Sequence, residues 1–257
     1  MMNYLSSLYG WLHHHLSFII HHSILKSLLK HLPNAMTCGN LLCGCIGLVM
    51  TLRGHLETAS WLIMLAAVLD FGDGFVARLV KVSGPFGKEL DSLADVVTFG
   101  VLPATIVFQL AWFQGLDVIS YGAFLIAVLA ALRLANFNID TRQSESFIGL
   151  PVPANTMLIA AFPLMERYQP QFDAIWKNDI GLGMMIAFSF MMVSEVPLFA
   201  LKFKTFGWAE NQIKYSFLIA SVLLLLFLHY AAIPLIILLY IVLSLFTKER
   251  KSGRAKE

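Results

Sequence analysis

Asp70-Phe71-Gly72-Asp73-Gly74-Phe75-Val76-Ala77-Arg78 and, after a short connection, Gly87-Lys88-Glu89-Leu90-Asp91-Ser92-Leu93-Ala94-Asp95 put four carboxylates where two apolar stretches meet. On helices, Asp70 and Asp73 at i, i+3 share one face, as do Asp91 and Asp95 at i, i+4. The short connection makes the two helices antiparallel neighbours, so both pairs come to one depth and face each other. Four facing carboxylates repel strongly in a low dielectric, and unless some are protonated they need positive charge between them. Oxygen-only donors suit hard cations such as Mg²⁺ or Mn²⁺, and two such ions would clamp the phosphates of a substrate. Gly74 and Ala77 leave room on the face of Asp70 and Asp73, and Arg78 offers a bidentate phosphate ligand.

Outward from this stretch the chain reads as a membrane protein. Of its 257 residues 58% are hydrophobic and 13% charged, where a soluble domain carries about 25% charged, and the mean hydropathy is +0.73. The net charge of +2 gives no reason to expect a nucleic-acid partner. Cys38, Cys43 and Cys45 have no metal-ligand spacing and read as small packing residues. No cleavable signal peptide is expected, since His and Lys are scattered ahead of the first apolar span.

A spanning helix needs roughly 20 apolar residues. Stretches near 33–50, 60–80, 90–113, 118–134, 152–164 and 181–201 qualify, the fifth being short. The block 215–246 is too long for one span and is interrupted near His229, Tyr230 and Pro234, so it reads as two helices joined by a tight turn. The expected fold is all-α: a polytopic transmembrane bundle of about eight spans, with six or seven as alternatives. Basic residues fall on alternate connections: Lys26 and Lys30; Arg78, Lys81 and Lys88; Arg133 and Arg142; Lys202, Lys204 and Lys214; then the tail from Lys248. By the positive-inside rule both termini and the aspartates lie on the cytoplasmic side. The segment 1–31 mixes apolar residues with His13, His14, His15, His21 and His22 and reads as an amphipathic helix in the interface. The expected organisation is this segment, a core domain over 32–205, a helical hairpin over 206–247 and a basic tail over 248–257.

The pattern Asp70-x-x-Asp73-Gly74-x-x-Ala77-Arg78, eight residues, Gly87-x-x-x-Asp91-x-x-x-Asp95 resembles the signature of the CDP-alcohol phosphotransferases at every fixed position. The flanks resemble the integral-membrane phosphatidylserine synthases within that family. These are Leu32-Pro33-Asn34 with Thr37, Asn40 to Gly44, Pro85-Phe86-Gly87, Phe99-Gly100, Pro103-Ala104, Arg133 to Asn138, Gly149 to Ala154, and Val193 to Pro197 leading to Lys202-Phe203-Lys204. Asn136 departs from the basic residue more usual there.

The resemblance implies a transfer from CDP-diacylglycerol to L-serine with release of CMP, at the edge of a bacterial inner membrane. It implies metal ligation by Asp70, Asp73 and Asp91, with Asp95 a metal ligand, the general base, or both. A CDP site is implied at Asp73, Gly74, Ala77 and Arg78, with Gly87 shaping the turn into the third helix. Thr37 and Asn40 read either as lining that site or as helix-packing polar residues. For the serine carboxylate Arg133 is the first candidate, followed by Arg142 and Lys88. Lys202 and Lys204 read as anchors to phospholipid headgroups. A homodimer is a further expectation from the family. The alternatives are another acceptor (glycerol 3-phosphate, inositol or inositol phosphate) or an ion-coupled transporter using the aspartates as its path.

Overall fold

Among the described residues, four helical stretches are apolar and long enough to cross a membrane: Leu29–Leu52, Pro85–Phe113, Asp117–Ile139 and Asn211–Leu245. A computed structural model shows how they and the intervening segments are arranged; it describes residues 29–82, 84–139, 146–172, 179–199 and 207–254. Among these the chain forms helices α1 (Leu29–Leu52), α2 (Leu56–Val80), α3 (Pro85–Phe113) and α4 (Asp117–Ile139). Strand β1 (Ser146–Ile148), α5 (Val152–Tyr168), α6 (Asp179–Phe190) and β2 (Pro197–Phe199) follow, and then α7 (Trp208–Leu228) and α8 (Ala232–Arg254). Of the segment 1–31 read as amphipathic, residues 1–28 lie outside the described residues, as do Arg142, Lys202 and Lys204, while 29–31 already belong to α1.

The break expected near His229 is present, so Asn211–Leu245 is not one straight rod. His229 takes φ 49° and ψ −119°, a conformation no helix accommodates. The rings of Phe217 and Tyr240 lie 5.8 Å apart, whereas 23 residues of straight helix would separate them by about 35 Å. α7 and α8 are therefore an antiparallel hairpin. Gln169, just past α5, fastens its turn: Nε2 donates to the Leu228 carbonyl at 2.9 Å, and Oε1 accepts from the Ala231 N–H at 3.0 Å. Gln169→Leu strands both groups and is expected to cost about 1–3 kcal/mol. A lower melting temperature with unchanged activity per folded molecule would bear this out.

The short fifth helix has a physical reason. α5 is buried along most of its length, from Val152 through Met165, so it meets protein rather than lipid and need not match the bilayer thickness. Phe71 on α2, Leu42 on α1 and Phe227 on α7 are exposed, as lipid-facing side chains are.

The sixth helix departs from expectation. The sequence suggested a span over 181–201, but α6 stops at Phe190 and the chain becomes extended. Ser194 Oγ bonds back to the Met191 carbonyl at 2.8 Å, and Pro197 has no N–H with which to continue a helix. β2 instead pairs antiparallel with β1, Phe147 opposite Leu198. Gly149 (φ +77°) allows this closure, since a Cβ there would lie 2.5 Å from the Met192 carbonyl oxygen. Tyr240 Oη donates to the Phe199 carbonyl at 2.8 Å, tying the clip to α8. Strand pairing leaves little backbone unsatisfied at an apolar boundary.

Successive rods alternate in direction. One end of the bundle gathers the start of α1, the end of α2, the start of α3, the end of α4 and the start of α5. The opposite end joins Glu57 to Arg167 at 3.4 Å, and Tyr168 Oη donates to Glu57.

Candidate active site

The four aspartates lie at the first of these ends. α3 is about 43 Å long, more than the roughly 30 Å hydrocarbon core. Pro85 sits at the start of α3, where no helical N–H is required. At the far side of the connection Lys81 closes α2 in the left-handed region, φ 55°, and the Val82 N–H reaches back to the Ala77 carbonyl at 3.0 Å. This tight reversal aligns the two acidic faces, as the spacing requires.

Asp70, Asp91 and Asp95 each present one carboxylate oxygen within 4.8 Å of the others. Asp91 Oδ1 is buried and has no hydrogen-bond partner among the described residues. A buried anionic oxygen without a donor is costly, and a hard cation between three carboxylates supplies what is missing. The residues thus fit a divalent ion. Asp73 is not one of this trio; Thr37 Oγ1 donates to its Oδ2 at 2.5 Å. Asp95 is held from the same helix, by Asn40 Nδ2 donating to Oδ1 at 3.1 Å. Thr37 and Asn40 are 3% and 0% exposed, and both are spent on orienting carboxylates.

Beside the acids opens a cavity of about 370 Å³ whose lining includes Thr37, Asp73, Gly74, Ala77, Gly87 and Asp91 together with Lys30, His31, Asn34 and Lys88. A Cβ added at Gly74 would meet no protein atom within 4 Å, so the space this glycine leaves opens into the cavity rather than being filled by packing. Gly87 does something other than shape the turn. It lies inside the first turns of α3, and a Cβ there would come 3.2 Å from Asn34 Oδ1, so its smallness brings α1 close to α3. Asn40 and Arg78 are not on the lining; Arg78 is exposed one residue beyond Ala77.

The serine candidates separate. Lys88 lines the cavity while its Nζ donates to the Asn138 carbonyl at 2.9 Å, and Asn138 Nδ2 donates to Ser92 Oγ at 2.8 Å. Arg133 is 6% exposed, its guanidinium 5.4 Å from the centre of the Phe137 ring, a cation–π arrangement. It does not line the cavity.

Sequence reading missed Lys30 and His31, because helix α1 is already formed at Leu29, ahead of the expected start at residue 33. It also missed the interruption of α3 by a π-helical turn, Val96–Val101, immediately after Asp95.

Comparison with known proteins shows the family. Residues 30–247 match the model of the CDP-alcohol phosphatidyltransferase family. The chain belongs to this family. It is an enzyme of the CDP-alcohol phosphatidyltransferases embedded in a membrane, which sets aside the transporter reading, and the match runs through the α7–α8 hairpin. The CDP-diacylglycerol–serine O-phosphatidyltransferase of Helicobacter pylori strain J99 is 32% identical over 166 residues, 64% of this chain and 70% of the relative. The protein of the same name from Bacillus subtilis strain 168 is 32% identical over 168 residues, 65% of this chain and 89% of the relative. An archaetidylserine synthase of Methanothermobacter thermautotrophicus is 33% identical over 169 residues, covering 64% and 68%.

Proposed function

We propose that this CDP-alcohol phosphatidyltransferase moves the phosphatidyl group of CDP-diacylglycerol to the hydroxyl of L-serine. The names of the relatives support serine as the acceptor. The trio of Asp70, Asp91 and Asp95, with its donorless buried oxygen, is the observation that carries the chemistry.

In this reading Asp70, Asp91 and Asp95, with Asp73 adjacent, hold divalent metal, Mg²⁺ or Mn²⁺ and two ions when substrate is bound. The metal would neutralise the pyrophosphate so that CMP can leave. Asp73, Gly74 and Ala77 receive the CDP moiety in the cavity, and Arg78 is assigned to a substrate phosphate. The serine Oγ attacks the phosphorus that bears the diacylglycerol, and the bond from that phosphorus to the bridging oxygen of CMP breaks. The hydroxyl proton passes to Asp95, whose carboxylate Asn40 orients; a base must lie within hydrogen-bond reach of the proton it takes. Arg133 and Lys88 are the candidates for the serine carboxylate. Arg78, Lys81, Lys88 and Arg133 cluster at the site's end of the bundle, which assigns that end to the cytoplasm by the positive-inside rule.

A phosphorylated acceptor would call for more cations on the cavity lining itself than Lys30 and Lys88. Purified chain supplied with CDP-diacylglycerol, Mn²⁺ and each labelled acceptor in turn is expected to release CMP with serine alone. Release with glycerol 3-phosphate or inositol and none with serine would overturn the acceptor assignment.

A further inference from the structure

The π-helical turn behind Asp95 has an identifiable cause. In an α-helix the Phe99 carbonyl would accept from the N–H of residue 103, but that residue is Pro103, which has no N–H and whose ring crowds the same carbonyl. The turn widens instead: the Leu102 N–H reaches the Val97 carbonyl, five residues back. Thr156 donates to that carbonyl from the neighbouring helix, its Oγ1 lying 2.7 Å from the Phe99 oxygen. The same hydroxyl is 3.0 Å from the Val152 carbonyl, the ordinary helical back-bond of a threonine. It has one hydrogen to give, and the shorter contact is the one to α3. Thr156 is 0% exposed and Phe99 is 1% exposed, so no water replaces the bond cheaply.

Neighbouring helices are shaped to the widened turn. Thr98 Oγ1 donates to the Asn40 carbonyl at 3.1 Å, and Asn40 is the residue that holds Asp95. A Cβ on Gly44 would come 3.1 Å from the Thr98 Cα. One residue corresponds to about 100° of helix rotation. A return of Val96–Val101 to α geometry would therefore swing Asp91 and Asp95 away from Asp70 or drive the remainder of α3 out of register.

We propose that Thr156, on a helix that contributes no aspartate, is a positioning residue: its bond to the Phe99 carbonyl holds the widened turn that aims Asp91 and Asp95 at Asp70. This rests on the reading of the aspartates as a metal site, and the test separates the two. Mn²⁺ binding to the purified chain is followed by loss of the free-ion EPR signal, with the metal alone as probe, beside kcat, KM and thermal melting. Thr156→Val keeps the shape without the hydroxyl, and Thr156→Ser keeps the hydroxyl. The valine variant is expected to bind Mn²⁺ roughly 10-fold more weakly and to lose kcat by roughly 10- to 100-fold, with KM for CDP-diacylglycerol much less changed and the serine variant close to wild type. Pro103→Ala, which returns an N–H to residue 103, is expected to weaken Mn²⁺ binding even with Thr156 in place, and it serves if the valine variant fails to fold. Wild-type affinity in Thr156→Val or in Pro103→Ala, or an equal loss in Thr156→Ser, overturns the proposal. Wild-type chain that binds no Mn²⁺ removable by Asp91→Asn overturns the metal site itself, and the role of Thr156 with it.

Discussion

Asp91→Asn is expected to lower serine-dependent CMP release by about 10³-fold without harming the fold. The substitution keeps the shape of the side chain but replaces one carboxylate oxygen with an amide donor, in a site whose Asp91 Oδ1 has no donor of its own among the described residues. It also removes one of three mutually close negative charges, which relieves repulsion when metal is absent. The metal-free variant should therefore melt at or above the temperature of the metal-free wild type. Metal reverses the order: an ion at 100 times its Kd stabilises the state that binds it by about 2.7 kcal/mol, and only the wild type gains. Thermal melting of both proteins with and without Mn²⁺ reads this crossing directly. A variant that melts lower than wild type under every condition would mean that Asp91 is structural.

Gly74 should separate activity from stability with the opposite sign. It lies in the body of α2, where glycine costs about 1 kcal/mol relative to alanine, and a Cβ there meets nothing in the protein. Gly74→Ala should leave the melting temperature unchanged or higher, because helix propensity improves and no neighbour must move. The added methyl would occupy space assigned to CDP, and a displacement of about 1 Å at a reacting centre costs on the order of 10²-fold. KM for CDP-diacylglycerol should rise in Gly74→Ala, and activity should be lost in Gly74→Leu. On the proposed CDP site, glycine here serves a ligand at a cost to the helix. Full activity in Gly74→Leu would remove the nucleotide from this face of α2.

The part of the site legible in sequence is the part set by local spacing. Offsets of three and four residues fix which carboxylates share a face, and the short connection fixes which faces meet. The hairpin at His229 was legible because the apolar block is simply too long for one bilayer crossing. What stayed hidden depends on contacts far apart in the chain. Thr37 and Asn40 sit one turn apart and look like helix-packing residues or pocket lining; only the fold shows that one holds Asp73 and the other Asp95. The Phe147–Leu198 strand pair joins segments about 50 residues apart, and neither is long enough to show strand periodicity. The π-helical turn lies in Val96-Val97-Thr98-Phe99-Gly100-Val101, almost wholly apolar, so a shift of one residue leaves the pattern intact. Pro103 was its one visible sign, and it would have been read as an ordinary kink without knowledge that Thr156 bonds the carbonyl Pro103 cannot serve.

The most direct test of the account is CMP release from CDP-diacylglycerol by the chelator-stripped chain in lipid vesicles, with L-serine as acceptor, before and after Mg²⁺ or Mn²⁺ is restored. The account predicts no release from the stripped enzyme, recovery on adding either ion, phosphatidylserine formed in step with CMP, and no recovery in Asp91→Asn. Serine-dependent release that persists in chelator, or that survives Asp91→Asn after metal is restored, would contradict it.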